Sequence, residues 1–356
     1  SKMTNERLCI FLVFSNLIAS KLLSSNRRMH NFIEKFTKIN DICKKFAGNR
    51  VNEHGNVSRR GVIPTFSDLE VIALSLTAEA FGYDSENNLF KRLAESPEHI
   101  PNLISRRQFN VRRKLTACLA EDIRRDIAKS IDGGENVFVI DSKPVKVCQL
   151  ARAKRCVMGN DNPQSAPSKG FCASQQMYYY GYKLHAICGI SGVIHSYDIT
   201  AANVHDIHYL DDAKWDYHDC LMLGDKGYLS AEVQQDLFET AHIKLEVPYR
   251  LNQKNWRNPS WAYRRFRKRI ETVFSQLNDQ FMMVRNYAKQ TGGLFTRTAA
   301  KIAAAVKIEL GHAAIPQLLQ SSTKFVLSNM LYFNSTNGLG FSPDMQIRRK
   351  LHHCRF

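Results

Sequence analysis

Residues 137–145 read VFVIDSKPV, and the step from Ile140 to Asp141 decides the fold. Val137-Phe138-Val139-Ile140 is a short, fully apolar run, and such a run bounded by polar residues reads as a strand buried on both faces. A second run, Leu221-Met222-Leu223-Gly224, ends on Asp225. A third acid, Glu271, lies inside a long helical pattern packed with arginine. Carboxylates closing two buried strands, faced by one from a helix, can converge on a point. Three such groups repel each other unless divalent cations lie between them, so the pattern implies a hard-metal site suited to phosphate.

Outward from these runs, the elements follow in a definite order. After the strand at 137–141 comes a long basic excursion, 142–176. Tyr178 to Cys188 and Val193 to Ile199 read as two strands joined by a Gly189–Gly192 turn. Asn203-Val204-His205-Asp206 reads as the cap of a helix running to Trp215. A strand at 220–225, a helix from Ser230 to Thr240 and a strand at 243–248 follow, then a long helix from about Ser260 to Met283. The order β-β-β-α-β-α-β-α implies an α/β fold, a mixed sheet flanked by helices. An alanine-rich helix near Thr296–Leu310 closes the region, and a polar tail follows Gln320. In the long helix Tyr263, Phe266, Ile270, Phe274, Leu277 and Phe281 form an apolar stripe, while Arg264, Arg267, Glu271, Ser275 and Asn278 share the adjacent face. The plainer reading of Arg267 and Glu271 is an i,i+4 ion pair on a solvated face.

Upstream, residues 30–128 read as helical. Phe32, Ile33, Phe36, Ile39, Ile42 and Phe46 keep a helical rhythm, and Val51 to Pro64 reads as a linker. Ser67-Asp68-Leu69-Glu70 is a capping box before an apolar helix ending at Ala80. Ser105-Arg106-Arg107-Gln108 is a weaker box opening a basic helix through Arg112, Arg113 and Lys114. This region suits either a helix-turn-helix-like DNA contact or a plain bundle with a charged outer face. Residues 8–23 are apolar but broken by Ser15, Asn16 and Lys21, a poor membrane span. The chain opens on Ser1, and residues 1–28 are expected to be an upstream or non-native extension.

The charge narrows the partner. Lys and Arg number 50 against 33 Asp and Glu, a net +17. A surplus of this size favours a polyanion, nucleic acid before membrane. It is concentrated: Pro248 to Ile270 holds eight basic residues (Arg250, Lys254, Arg257, Arg264, Arg265, Arg267, Lys268, Arg269) and no acid. Trp256, Trp261 and Tyr263 interleave with them, a pattern suited to stacking on an unpaired base, with core packing the alternative. Lys143, Lys226 and Tyr228 follow the two aspartates closely enough to touch phosphate, and Arg152, Lys154 and Arg155 suit tracking of a backbone. Nine cysteines without a CxxC pair fit reduced thiols in the cytosol, and Cys148, Cys156 and Cys172 match no zinc module. His205 and His208 read as local hydrogen-bonding groups, and no Walker-type loop appears.

Three motifs in this order, Asp141 in VIDSKPV, Asp225 in GDKGY and Glu271 in RKRIETVFSQL, resemble the signatures of bacterial insertion-sequence DDE transposases. TAANVHD at 200–206 resembles their segment before the second aspartate. The resemblance spans roughly residues 30–310, and RRFRKRIETVFSQL with the helical N-terminal region looks nearest to the insertion sequence 982 group. The motif acids lie 84 residues apart (141 to 225) and 46 apart (225 to 271), the second gap too short for the β-rich insertion of some relatives. In the related pattern Tyr-x2-Arg-x3-Glu-x6-Lys, Arg267 and Glu271 fit, but Arg264 stands at the tyrosine position and Asn278 at the lysine position.

The resemblance implies a ribonuclease-H-like catalytic domain at 131–312, a helical DNA-binding domain at 29–130 and a tail at 313–356. It implies that Asp141, Asp225 and Glu271 hold two Mg²⁺ ions, with Mn²⁺ able to substitute, and cleave and transfer DNA strands. Asp141 would bridge both ions. The expected partners are double-stranded DNA, as terminal repeats and target, and a second copy of the chain or more on DNA. The expected setting is the cytoplasm, at the nucleoid when bound, with no membrane. Arg106, Arg107, Arg112 and Arg113 are the expected N-terminal DNA contacts. The alternatives are a nuclease of the same fold that does not transpose, and a DNA-binding protein that has lost catalysis.

Overall fold

The computed structural model describes residues 28–160, 162–249, 256, 258–285 and 287–312. Apart from Arg28, the segments 1–28 and 313–356 lie outside them, as do Arg250, Lys254 and Arg257. A helix over 28–47, α1, is the first element of the described residues. It is followed by α2 (Asp68–Ala80), α3 (Glu86–Ala94), α4 (Arg106–Leu115) and α5 (Ala117–Ile131). Both expected capping boxes are present: Glu70 N donates to Ser67 Oγ at 3.2 Å, and Gln108 N donates to Ser105 Oγ at 3.3 Å. Nearly every side chain of α2 is buried, so this helix is a core element rather than an amphipathic surface one.

The sheet comprises β1 (Val137–Cys148), β2 (Ser168–Cys172), β3 (Met177–Gly189), β4 (Ile194–Ala201), β5 (Leu221–Leu223) and β6 (Lys244–Glu246). Strand β1 runs antiparallel to β3 and parallel to β5, and β5 is parallel to β6. The far edge of β3 is shared by β4 beside residues 182–188 and β2 beside 177–181. Helices α6 (His208–Asp216) and α7 (Ala231–Ala241) make the crossovers to β5 and β6. Helices α8 (Trp261–Phe266), α9 (Lys268–Asp279) and α10 (Thr291–His312) follow.

Two features of the sheet depart from the sequence reading. Strand β1 does not stop at Asp141 but continues to Cys148, and part of the expected excursion is strand β2. The continuation Lys143-Pro144-Val145-Lys146 has no apolar run to announce it; its order comes from pairing with Leu184 to Gly181 of β3, a non-local contact. The expected long helix is divided at Arg267 and ends at Asp279.

The alternation of β1 sorts the core into two layers. Val137, Val139 and Val145 face α9, α10 and the N-terminal helices, where Phe32, Leu74, Ile123, Ile270, Leu277 and Ile302 are buried. Phe138 and Ile140 face the other layer, with Leu210 of α6 and Leu237 of α7. Each such fully buried Phe, Leu or Ile contributes roughly 1.5–3 kcal/mol. The first layer is one continuous cluster from Met29 to Val306, because α10 packs against both α2 and α5. A buried ionic hub ties the same elements. Glu79, 2% exposed, meets Lys301 at 2.6 Å, Arg113 at 3.0 Å and Arg297 at 3.1 Å. No helix among the described residues is long and apolar enough to cross a membrane.

Candidate active site

Strand register brings the first two acids together. Val139 pairs with Leu223 at the end of the parallel β1–β5 ladder. Asp141 and Asp225 each lie two residues beyond that pair, hence on the same side of their strands. The approach is tight: a Cβ on Gly224 would meet side-chain atoms of Ile140, Tyr228 and Val247 at 3.3 Å, so a larger residue here would push these neighbours back by a few tenths of an ångström. Asp225 itself is exposed. Asp141 is 19% exposed and accepts from Ser142 N at 2.8 Å. Burial pushes its carboxyl up to about 6, against the pull of Arg267, and the neighbouring charge of Asp225 adds to the rise.

Helices α8 and α9 bring the third acid. Ser260 caps α8 by accepting from Tyr263 N at 3.1 Å, and both its backbone N and its hydroxyl donate to Glu246 of β6 at 2.8 Å. Lys143 Nζ donates to the Phe274 carbonyl at 3.0 Å and fixes α9 against β1. From this scaffold Arg267 Nη2 donates to Asp141 Oδ2 at 3.1 Å, and its Nη1 lies 3.7 Å from Glu271 Oε1. The guanidinium, 12% exposed, thus stands between the two acids, while Glu271 is 62% exposed. Tyr263 also borders the group: burial raises its hydroxyl pKa, Arg267 opposes that, and Asp225 and Asp141 add to it.

A carboxylate raised to about 6 beside a second acid is under-compensated, the condition that a hard cation relieves, so Asp141 and Asp225 fit a divalent ion. Glu271 does not join them in this arrangement, because Arg267 intervenes. Among the described residues no group of three or more Asp, Glu, His or Cys side chains is arranged to hold a metal.

Several expected phosphate contacts are placed otherwise. Tyr228 is 1% exposed in the second core layer, so it is a packing residue. Lys143 is spent on α9, and burial lowers its ammonium to about 8. Arg112 forms a 2.6 Å ion pair with buried Asp68 and donates to the Phe66 carbonyl at 2.5 Å. Burial works to raise Asp68, but Arg112 and Arg59 outweigh it and hold the carboxyl low. Arg113, 7% exposed, pairs with Glu79 and Glu86. These two arginines hold the helices together, which corrects their reading as DNA contacts. Arg106, Arg107, Arg152, Lys154, Arg155, Lys226 and Arg264 are exposed, as is Trp256. Trp261 is exposed too, with Arg265 over its ring at 5.6 Å.

Asp206 was expected to cap a helix, yet α6 begins at His208 without a side-chain cap. Instead Asp206 pairs with Lys183 at 2.9 Å and approaches the Asp225–Tyr228 turn, where a Cβ on Gly227 would lie 3.4 Å from Asp206 Oδ2. Behind it His185, wholly buried, bonds Thr200 Oγ1 at 2.8 Å, and burial lowers its pKa to about 4. No local pattern joins Asp206 to Lys183 and His185; the β3–β4 pairing does. His205 accepts from Ile207 N at 3.3 Å, the local role expected of it. Burial first, and then Cys156, raises Cys148, so these two thiols are neighbours; Cys172 lies apart with Tyr179 and Ala202.

Residues 132–306 match the family model described as "Transposase DDE domain". The match includes Asp141, Asp225 and Glu271 and omits α1 to α5, so it is shorter than the span of resemblance read from the motifs. No curated protein and no solved structure matches the chain.

Proposed function

We propose that this protein is a DDE transposase that binds the terminal repeats of its mobile element and cleaves and joins DNA. The domain match supports transposase chemistry and DNA as the partner. The single observation that carries the site assignment is the shared register of Asp141 and Asp225 beyond the Val139–Leu223 pair, with Arg267 linking Asp141 to the Glu271 helix. The sheet, with four strands in antiparallel pairs, β1 to β4, before the crossovers to parallel β5 and β6, supports a ribonuclease-H-like reading. The RRFRKRIETVFSQL helix and the N-terminal helices favour the insertion sequence 982 group.

Asp141, Asp225 and Glu271 would hold divalent ions, Mg²⁺ or Mn²⁺, which when bound activate the attacking oxygen and stabilise the leaving one in an in-line displacement. The chain's own part is positional. Arg267 pairs with Asp141, offsets part of its charge and steadies α9 before the acids are engaged, and it must leave Asp141 for Glu271 to approach. Released, its guanidinium is suited to a scissile-strand phosphate. Lys226, exposed beside Asp225, is suited to the same backbone. Water attacks first and leaves a free 3′-hydroxyl; that hydroxyl then attacks target DNA, and neither step needs ATP.

The test is a divalent-ion-dependent assay on candidate terminal repeats. Asp141→Ala, Asp225→Ala and Glu271→Ala should each lose cleavage by several orders of magnitude and keep DNA binding. Near-normal cleavage by any of them would refute the assignment. Cleavage without joining would identify a nuclease of the same fold, and binding alone a protein that has lost catalysis.

A further inference from the structure

The strands β2 and β3 end in a hairpin that carries a second aromatic and basic surface, away from α8. Phe171 and Tyr178 are directly paired across it and are 51% and 55% exposed. Their ring centroids lie 5.0 Å apart, and Lys169 Nζ stands 4.3 Å from the Tyr178 centroid. Large apolar rings are ordinarily covered, and here the hairpin tip holds two open to solvent. Two residue pairs inward, Tyr180 lies opposite Cys148, and both thiols Cys148 and Cys156 bear on it. Those cysteines bracket the short 3-10 turn Leu150–Arg155, which packs on β3 and exposes Arg152, Lys154 and Arg155. None of these three cations forms an ion pair among the described residues. The stretch 142–176 carries six Lys and Arg and one acid, Asp161.

We propose that this hairpin is a stacking site for an unpaired DNA base, with the 150–155 turn holding the flanking phosphates. Rings open to solvent beside unpaired cations match the two parts of a nucleotide, a π-face and a charge. A second copy of this chain would carry the same positive charge to the surface, which argues against self-association there. By strand alternation Tyr178 is on the face of β3 that carries Ala186, the partner of Asp141. Eight residues of strand separate Tyr178 from Ala186, about 26 Å at about 3.3 Å each. That is about eight nucleotides of one B-form strand, so the base held here would lie well away from the cleaved bond. The inference rests on the reading of DNA as the partner, and it adds a contact that neither the three acids nor the α8 aromatics supply.

The test uses the full chain and two labelled duplexes, one fully paired and one with a short unpaired run containing a fluorescent adenine analogue. The wild type should prefer the second duplex and quench the analogue. Phe171→Ala/Tyr178→Ala should weaken that binding roughly ten-fold or more, leave the paired duplex unchanged, and abolish quenching. Tyr178→Phe should retain both. Both side chains are more than half exposed, so the melting temperature should be unchanged, and Lys169→Gln offers a second variant that leaves the rings in place and should weaken only the unpaired duplex. Equal affinity of the wild type for both duplexes, or an equal loss on both in the variant, would overturn the proposal. So would a change in oligomeric state with DNA binding intact. Cleavage-deficient Asp141→Asn separates the two readings: it should still prefer and quench the unpaired duplex, whereas failure of the transposase assignment alone would leave the hairpin effect standing.

Discussion

Asp141 is the residue on which the chemistry turns, and its environment makes a measurable statement. Its folded pKa, about 6, lies above the usual 3.8 of an aspartate because burial outweighs the help of Arg267. A carboxyl raised on folding binds its proton more tightly in the folded state. Its charge therefore costs nothing below pH 3.8, and the cost grows as pH rises through about 6. Asp141→Asn is expected to keep or raise the melting temperature at pH 7 while cleavage is lost. A clear drop in melting temperature at pH 7, absent at pH 4, would show that the charge stabilises the fold instead. Stability set aside for function is common where like charges are gathered for a reaction.

At the scale of elements, the position of Glu271 depends on how α8 begins. Ser260 both caps α8 and ties it to Glu246 of β6, so the helix pair is anchored to the strand next to the one leading to Asp225. Ser260→Ala removes the cap and one of the two links, with an expected loss of about 0.5–2 kcal/mol. The effect on kcat should exceed the effect on DNA affinity, since no DNA-facing group is removed; an unchanged kcat would show that α9 is held by Lys143 and core packing alone. The hairpin of β2 and β3 shows a different limit of local reasoning. Ser168 to Cys172 has no apolar alternation, yet it is ordered as a strand because the longer β3 offers it an edge.

At the scale of the whole molecule, Glu79 binds α2 to α4 and α10 from the middle of the core. Burial alone would raise its carboxyl, but Arg113, Arg297 and Lys301 hold it below the usual range. Glu79→Gln leaves Arg297 and Lys301 without their counter-ion and Arg113 with Glu86 alone, and should cost about 3–5 kcal/mol in a denaturant titration. The pH signature has a definite sign. A depressed carboxyl contributes stability that is present above 4.5 and lost as pH falls below it, so the variant should show a weaker acid dependence than the parent. Because α10 stands between α2 and α5, the loss should appear in one unfolding transition that includes the sheet. Separate melting of the N-terminal helices would show that the hub does not couple them.

The sequence by itself determined the strands at 137–141 and 221–223, the β3–β4 hairpin, the crossover helices and both capping boxes, because each is written in neighbouring residues as a run, an alternation or a cap. It also pointed to the three acids, since each ends or interrupts such a pattern. Only the tertiary structure decided that β1 runs on past Asp141, that Arg112 and Arg113 turn inward to Asp68 and Glu79, that Tyr228 packs in the core, and that Arg267 stands between Asp141 and Glu271. The physical reason is common to the strand and the three arginines, while Tyr228 is covered by a core layer assembled from distant elements. A charge or a strand edge takes its role from whatever partner the fold brings within a few ångströms, and those partners lie 34 or more residues away for Arg112 and Arg113 and 126 away for Arg267.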